Sequence, residues 1–335
     1  MKIRLKKLAD QVIVMTGATS GIGLVTARKA AARGARLVLV ARNQEALQHL
    51  GEELDELGTE TAYVVADVAN EEDVRRIAEV AIQRFGGFDT WMNIAGVGIF
   101  GKSEQVSVED MRRLFDINFW GVVYGSLTAV RHLKPRGGAL INVGSETSDR
   151  AVPLQGIYSA SKHAIKGFTD ALRVELEEEN APISVTLVKP ASIDTMFLAH
   201  AKNYLDVEPR LPPPIYAPEI VADALLYAAE HPKRDIYVGS RAKLMGAGGY
   251  YLPQAVDKGM KRFLYRYIRT DRPARDRTDN NLYGHKQDLQ ERVGVGGRTR
   301  ETSYYTMAAL HPRATKIAVL GAGLALTAIW RARRR

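Results

Sequence analysis

Cysteine is absent from the 335-residue chain, which removes disulfides, thiolate metal ligands and a cysteine nucleophile together. That absence fits a reducing compartment. No grouping of His, Asp and Glu has metal-ligand spacing, so no metal is expected. There is no internal repeat. Residues 1–10 are basic but hold no apolar stretch of signal-peptide type ahead of the first strand at Val12, which predicts a cytoplasmic protein that is not exported. The uncharged run Ile317–Trp330 has fourteen residues, fewer than the roughly 17–20 that a spanning helix needs.

Acidic residues are scarce only at one end. Residues 1–240 hold 27 Lys+Arg against 31 Asp+Glu, a balance of −4, while residues 241–335 hold 20 against 7, a balance of +13. A near-neutral body therefore carries a basic tail, and such a tail favours anionic surfaces. No nucleic-acid reading module is present, so nucleic acid is not an expected partner.

From Val12 to Gly239, apolar runs of strand length alternate with stretches of helical period. Val12–Met15, Leu37–Val40, Ala62–Val65, Thr90–Ile94, Ala139–Val143, Ser184–Val188 and Ile236–Val238 read as strands. Gly21–Arg33, Gln44–Leu57, Glu71–Phe85, Met111–Leu133, Tyr158–Glu179 and Pro218–His231 read as helices. Such alternation predicts an α/β, Rossmann-like, doubly wound parallel sheet of about seven strands with helices on both faces. Three parts follow: a domain over 1–240, a basic and partly irregular extension over 241–313, and a short hydrophobic tail over 314–335 that ends in an Arg cluster.

Strand Val12–Met15 runs into Thr16-Gly17-Ala18-Thr19-Ser20-Gly21-Ile22-Gly23 and then a helix. Glycines there let the backbone turn sharply and approach a pyrophosphate, to which the helix start offers free N–H groups. Gly294-Val-Gly296-Gly297 and Gly321-Ala-Gly323 share the letters but lack the strand–turn–helix setting. The TGATSGIG turn resembles the TGxxxGxG turn of the short-chain dehydrogenase/reductase family. The likeness extends over roughly residues 8–240. Asp67-Val68 resembles the family's adenine-contacting pair. Asn93-Ile94-Ala95-Gly96 resembles its NNAG motif with Ile94 in place of the second Asn, and Lys189 to Thr195 resembles its PGxxxT segment with Ala191 in place of Gly. The resemblance implies a nicotinamide dinucleotide held by Gly17, Thr19, Ser20, Gly21, Ile22, Gly23, Asp67, Val68, Asn93, Ala95, Gly96, Pro190, Ile193 and Thr195.

An acid that would bond the ribose 2′-hydroxyl is missing at the end of the second strand, where Ala41-Arg42-Asn43 stands instead. A guanidinium at that place can grip a 2′-phosphate with paired charged hydrogen bonds, which predicts NADP(H) in preference to NAD(H). A solvated strand-end arginine is the plain alternative.

Tyr158 and Lys162 stand four apart on a helical stretch, and so on one face. An ammonium beside a phenol favours the phenolate and lowers its pKa from about 10, toward the range where a proton carrier works. Ser145 lies thirteen residues before Tyr158, which is the family spacing, and Asn118 matches the fourth member of the family's catalytic set. The resemblance gives Ser145 the substrate oxygen, Tyr158 the proton, Lys162 the nicotinamide ribose, and Asn118 a proton-relaying water. His163 points about 100° away from Lys162 on the helix and is read as a bystander.

After Thr195, where the family carries a lid, stand Met196, Phe197, Leu198, Tyr204, Leu205, Pro212-Pro213-Pro214, Ile215 and Tyr216; Val97, Ile99, Phe100, Val152 and Leu154 flank the site. They predict a lipophilic carbonyl or alcohol substrate, unless they only pack the lid onto the body. The tail admits three readings: a short membrane anchor or interfacial helix, a helix docked on a partner subunit, or a disordered end. The resemblance implies a homodimer or homotetramer paired through Met111–Leu133 and Tyr158–Glu179. The rival to an oxidoreductase is a nucleotide-binding interaction protein without catalysis. It is expected to have lost Tyr158, Lys162 or Ser145, and all three are present.

Overall fold

The computed structural model describes residues 3–286, 288–294, 299–312 and 315. All seven apolar runs become strands of one parallel sheet: β1 (Val12–Thr16), β2 (Arg36–Ala41), β3 (Thr61–Val65), β4 (Thr90–Asn93), β5 (Gly138–Val143), β6 (Ile183–Pro190) and β7 (Asp235–Val238). Their spatial order is β3-β2-β1-β4-β5-β6-β7. Side chains alternate between faces along a strand. Ile13, Met15, Leu37 and Leu39 thus join one apolar core, while Val12, Val14, Val38 and Val40 join the other. Burying each such side chain contributes about 1.5–3 kcal/mol, which is why continuous apolar runs settle as strands covered on both sides.

Helices α1 (Gly21–Ala31), α2 (Gln44–Glu56) and α7 (Pro218–Glu230) supply the first core through Leu24, Leu50 and Leu225. Helices α3 (Glu71–Phe85), α4 (Val108–Phe115), α5 (Gly121–Leu133) and α6 (Gly156–Glu178) supply the second through Ile77, Leu114, Leu133 and Leu172. Local sequence sets where several begin: the side chains of Asn43, Asn70 and Ser107 accept hydrogen bonds from the first-turn amides of α2, α3 and α4. Gly86, at φ 76°, ends α3 in the left-handed region.

Two differences from the sequence-based expectation matter. The single helix expected over Met111–Leu133 is interrupted by a π-helical stretch, Asp116–Trp120, between α4 and α5. The extension over 241–313, expected to be partly irregular, has no helix or strand over 274–286 and 288–294 but opens with a helical arm that the sequence did not mark: α8 (Ser240–Tyr251), α9 (Pro253–Gly259), a π-helical stretch Met260–Leu264 and a last turn Tyr265–Ile268. Leu244, Tyr250, Tyr251 and Leu252 face outward and only Ala242 is buried, so α8 and α9 have no buried apolar stripe from which a period could be read. Strand Arg269–Pro273 then pairs antiparallel with Val207–Pro209, and Thr299–Arg300 pairs with Ile215–Tyr216, so the extension is stitched onto the lid. The tail Ile317–Trp330, with its Gly321-Ala-Gly323 run, lies outside the described residues. Among the described residues no helix is long and apolar enough to cross a membrane.

Candidate active site

Strand order reverses between β1 and β4, and the crevice beyond their carboxyl ends is where this architecture holds ligands. The turn after β1 is fitted to lie close to a ligand. Gly17 has φ +70°, and a side chain on Gly23 would drive its Cβ to 1.9 Å from the Gly17 carbonyl oxygen. The Thr16 hydroxyl accepts the amides of Ile94 and Ala95 at 3.0 and 3.1 Å, locking this turn to the one after β4.

A cavity of about 210 Å³ opens here, lined by Gly17, Ser20, Gly21, Ile22, Gly23, Ala95, Gly96, Ser145, Tyr158, Lys162, Pro190, Ile193 and Thr195. It continues through Gly17, Ser20, Ala95 and Gly96 into a second cavity of about 100 Å³, whose walls include Thr19, Arg42, Asp67 and Val68. The residues assigned from sequence to a dinucleotide therefore gather along one continuous crevice, with one exception. Asn93 lines neither cavity. It accepts the Trp91 indole N–H at 2.8 Å and donates to Asn142 Oδ1 at 2.8 Å, so its side chain serves the buried core beneath the turn and not the crevice.

Ser145 stands just beyond β5, while Tyr158 and Lys162 share the inner face of the first turns of α6. The Tyr158 ring leans on Phe197, centroids 5.2 Å apart. The Lys162 ammonium donates to the Val143 carbonyl at 3.0 Å and lies 5.7 Å from the Tyr158 ring centre. The expected lowering of the phenol pKa is not found. Burial pushes Tyr158 up to about 12; a hydrogen bond with Ser145 pulls it back in part, and the Glu146 charge adds to the rise. Lys162 is instead pushed down to about 8 by its own burial. Desolvation of the buried groups is the largest cause of both shifts.

Asn118 sits within the π-helical stretch and is fully buried. Its amide accepts the Val97 N–H at 2.8 Å and donates to the Val97 carbonyl and the Ser161 hydroxyl. The side chain is thus committed to holding the loop after β4. His163 is exposed on α6, its ring bonded to the Ser159 carbonyl.

The apolar residues of the lid divide. Val97, Val152, Met196, Phe197 and Pro212 line the large cavity, whereas Ile99, Phe100, Leu154, Leu205 and Tyr216 are packed into cores. Several lining groups escaped the sequence reading. Met245, Leu264 and Ile268 reach the cavity from the extension. Glu146, also on its wall, is buried and ion-paired with Arg241, which bonds Ser192 Oγ at 2.8 Å and the Pro212 carbonyl at 3.0 Å as well. Burial pushes the Glu146 carboxyl up against the pull of Arg241. Asn281, His285 and Asp288 form the outer wall of the smaller cavity. Nothing local in the sequence marks these residues, because each meets its partners only through long-range folding.

The short chain dehydrogenase family model matches residues 11–204. "Uncharacterized oxidoreductase YxnA" of Bacillus subtilis is 50% identical over 323 residues, covering 96% of this chain and 91% of that protein. "11-beta-hydroxysteroid dehydrogenase A" of Sesamum indicum is 39% identical over 190 residues, covering 56% of this chain and 54% of its own length. Among solved structures, a short chain dehydrogenase from Burkholderia cenocepacia in complex with NADP superposes with a TM-score of 0.64 at 27% identity, covering 76% of this chain and 99% of that one. The chain belongs to the short chain dehydrogenase family of oxidoreductases.

Proposed function

We propose that this protein is an NADP(H)-dependent oxidoreductase that moves a hydride between the nicotinamide and a carbonyl or alcohol of a lipophilic substrate. The observation that carries the reading is the meeting of Ser145, Tyr158 and Lys162 on the wall of one cavity that runs on into the glycine turn. The dinucleotide, when bound, supplies or accepts the hydride. The fit is supported by the glycine turn, which no side chain could share, and by Arg42 Nη1, a buried nitrogen without a hydrogen-bond partner at the end of β2. That guanidinium is the group for a 2′-phosphate. NADP in the Burkholderia structure supports the same choice.

Tyr158 holds the proton that the substrate oxygen gains or loses, and Ser145, hydrogen-bonded to it, orients that oxygen. Lys162, held by the Val143 carbonyl beside Gly96, would bind the nicotinamide ribose. Val97, Val152, Met196, Phe197, Met245 and Leu264 make the substrate end apolar, which favours a lipophilic ketone, aldehyde or alcohol.

Two features outside the site extend the proposal. The arm over 240–268 exposes Leu244, Tyr250, Tyr251 and Phe263 among Lys258, Lys261 and Arg262, a composition suited to peripheral contact with an anionic membrane on the cytoplasmic side. Trp120 on the π-helical stretch, Leu127 on α5 and Val174 on α6 are exposed, which suits pairing between subunits in a homodimer or homotetramer.

Consumption of NADPH against a panel of ketones and aldehydes tests the chemistry. Tyr158→Phe should cut turnover by about 10²–10⁴-fold while leaving NADPH binding in place. Full activity in that variant would refute the assignment, and turnover of small polar carbonyls alone would refute the lipophilic substrate.

A further inference from the structure

The outer wall of the smaller cavity is made by the extension, residues 281–286 and 288–291, which reach back across the dinucleotide crevice. Their contacts fall on groups that a phosphorylated ribose would need. Asp288 accepts the Thr19 hydroxyl at 2.9 Å on one carboxylate oxygen and the Asn43 amide at 2.7 Å on the other. Its side chain is only 9% exposed. Arg42 faces the same pocket, with Nη2 donating to the Asn281 carbonyl at 2.7 Å and Nη1 buried and unpartnered. Flanking bonds fasten the strap: the Leu289 amide donates to the Thr19 carbonyl at 2.7 Å, the Gly21 amide to the Gln290 carbonyl at 2.9 Å, and Arg28 to Glu291 at 2.6 Å.

A carboxylate held by a hydroxyl and an amide beside a guanidinium fills an anion site. Thr19 follows β1, while Arg42 and Asn43 follow β2, so this is the place at the two strand ends where the ribose 2′ position of a dinucleotide falls. A carboxylate and a phosphate dianion cannot share it, since at 4 Å two unit charges repel by about 4 kcal/mol even at an effective dielectric of 20. His285 Nδ1 lies 3.9 Å from Asp288, too far for a hydrogen bond.

We infer that Asp288 is an internal stand-in for the coenzyme's 2′-phosphate, so that a phosphorylated dinucleotide binds by displacing the Asp288 carboxylate and releasing the strap from Thr19. An unphosphorylated dinucleotide has nothing to exchange for Asp288 and lies beneath a closed strap. The inference rests on the NADP(H) reading but can fail separately from it.

Equilibrium binding of NADPH and NADH to the full chain, read by fluorescence quenching or calorimetry, tests it with Asp288→Asn. The variant keeps the size of the side chain and removes its charge. Binding of NADPH should tighten about tenfold, while NADH changes less than about twofold. Hydrogen exchange gives a second readout: the Leu289 amide should exchange faster with NADP+ bound and more slowly with NAD+ bound. If NADPH binds wild type better than NADH and Asp288→Asn leaves both unchanged or weaker, the stand-in is wrong and the coenzyme reading survives. If NADPH tightens in the variant although wild type shows no preference, the stand-in holds and the coenzyme preference does not. If NADPH is no better than NADH in either protein, both fall.

Discussion

Tyr158 keeps its proton up to about 12 because burial opposes the phenolate more than the Ser145 hydrogen bond stabilises it. Between about pH 7 and 9 it is therefore an acid, suited to protonating a carbonyl oxygen as hydride arrives. Reduction should not slow over that range for want of the proton. On the proposed mechanism, oxidation of the alcohol needs the phenolate, whose fraction grows about tenfold per pH unit below the pKa, so its rate should climb steeply with alkali. Parallel pH profiles in the two directions check this, and an oxidation rate flat over that range would place the base elsewhere. Arg42→Asp should weaken NADPH by about 10–100-fold relative to NADH, measured as a ratio of dissociation constants. The spacing of Ser145, Tyr158 and Lys162 is written into one helix and the strand before it, so their meeting was readable from sequence. The sign of the phenol's shift was not, because it depends on how deep the ring lies and where the ammonium points.

Secondary-structure elements were legible where a period or an apolar run ties residues to one packed face. β1, VIVMT, is buried at every position, and α1, α2 and α3 show helical repeats of buried residues. The π-helical stretch over Asp116–Trp120 leaves no such mark, since it shifts the register by part of a turn inside a continuous helix. Helix α8 was hidden for the opposite reason: only Ala242 of its residues is buried. Arg241, paired with the buried Glu146, and Ala242, packed into the first core, hold α8 to the body. Arg241→Ala would leave that carboxylate unpartnered, and thermal or urea unfolding should report a loss of about 3–5 kcal/mol. A loss under about 1 kcal/mol would mean that water or another cation replaces the guanidinium.

For the molecule as a whole, the outward-facing apolar and basic residues of the 240–268 arm form a composite surface. Full-length protein should co-sediment with vesicles containing anionic phospholipid, and binding should fall as salt is raised. Phe263→Ser with Lys261→Glu should abolish it without altering turnover of a dissolved substrate; equal binding to neutral vesicles would remove the electrostatic part. Val174→Asp should shift the sedimenting species toward monomer if α4–α6 form the subunit contact.

The family match ends at residue 204, yet Leu211, Pro212, Met245, Leu264 and Ile268 shape one cavity, and Asn281, His285 and Asp288 wall the other. Both cavities are thereby walled jointly by residues inside the family match, such as Val97, Val152, Met196 and Arg42, and by residues beyond it. Relatives could diverge widely in what they accept, through changes after that boundary alone, while every reacting group upstream stays as it is.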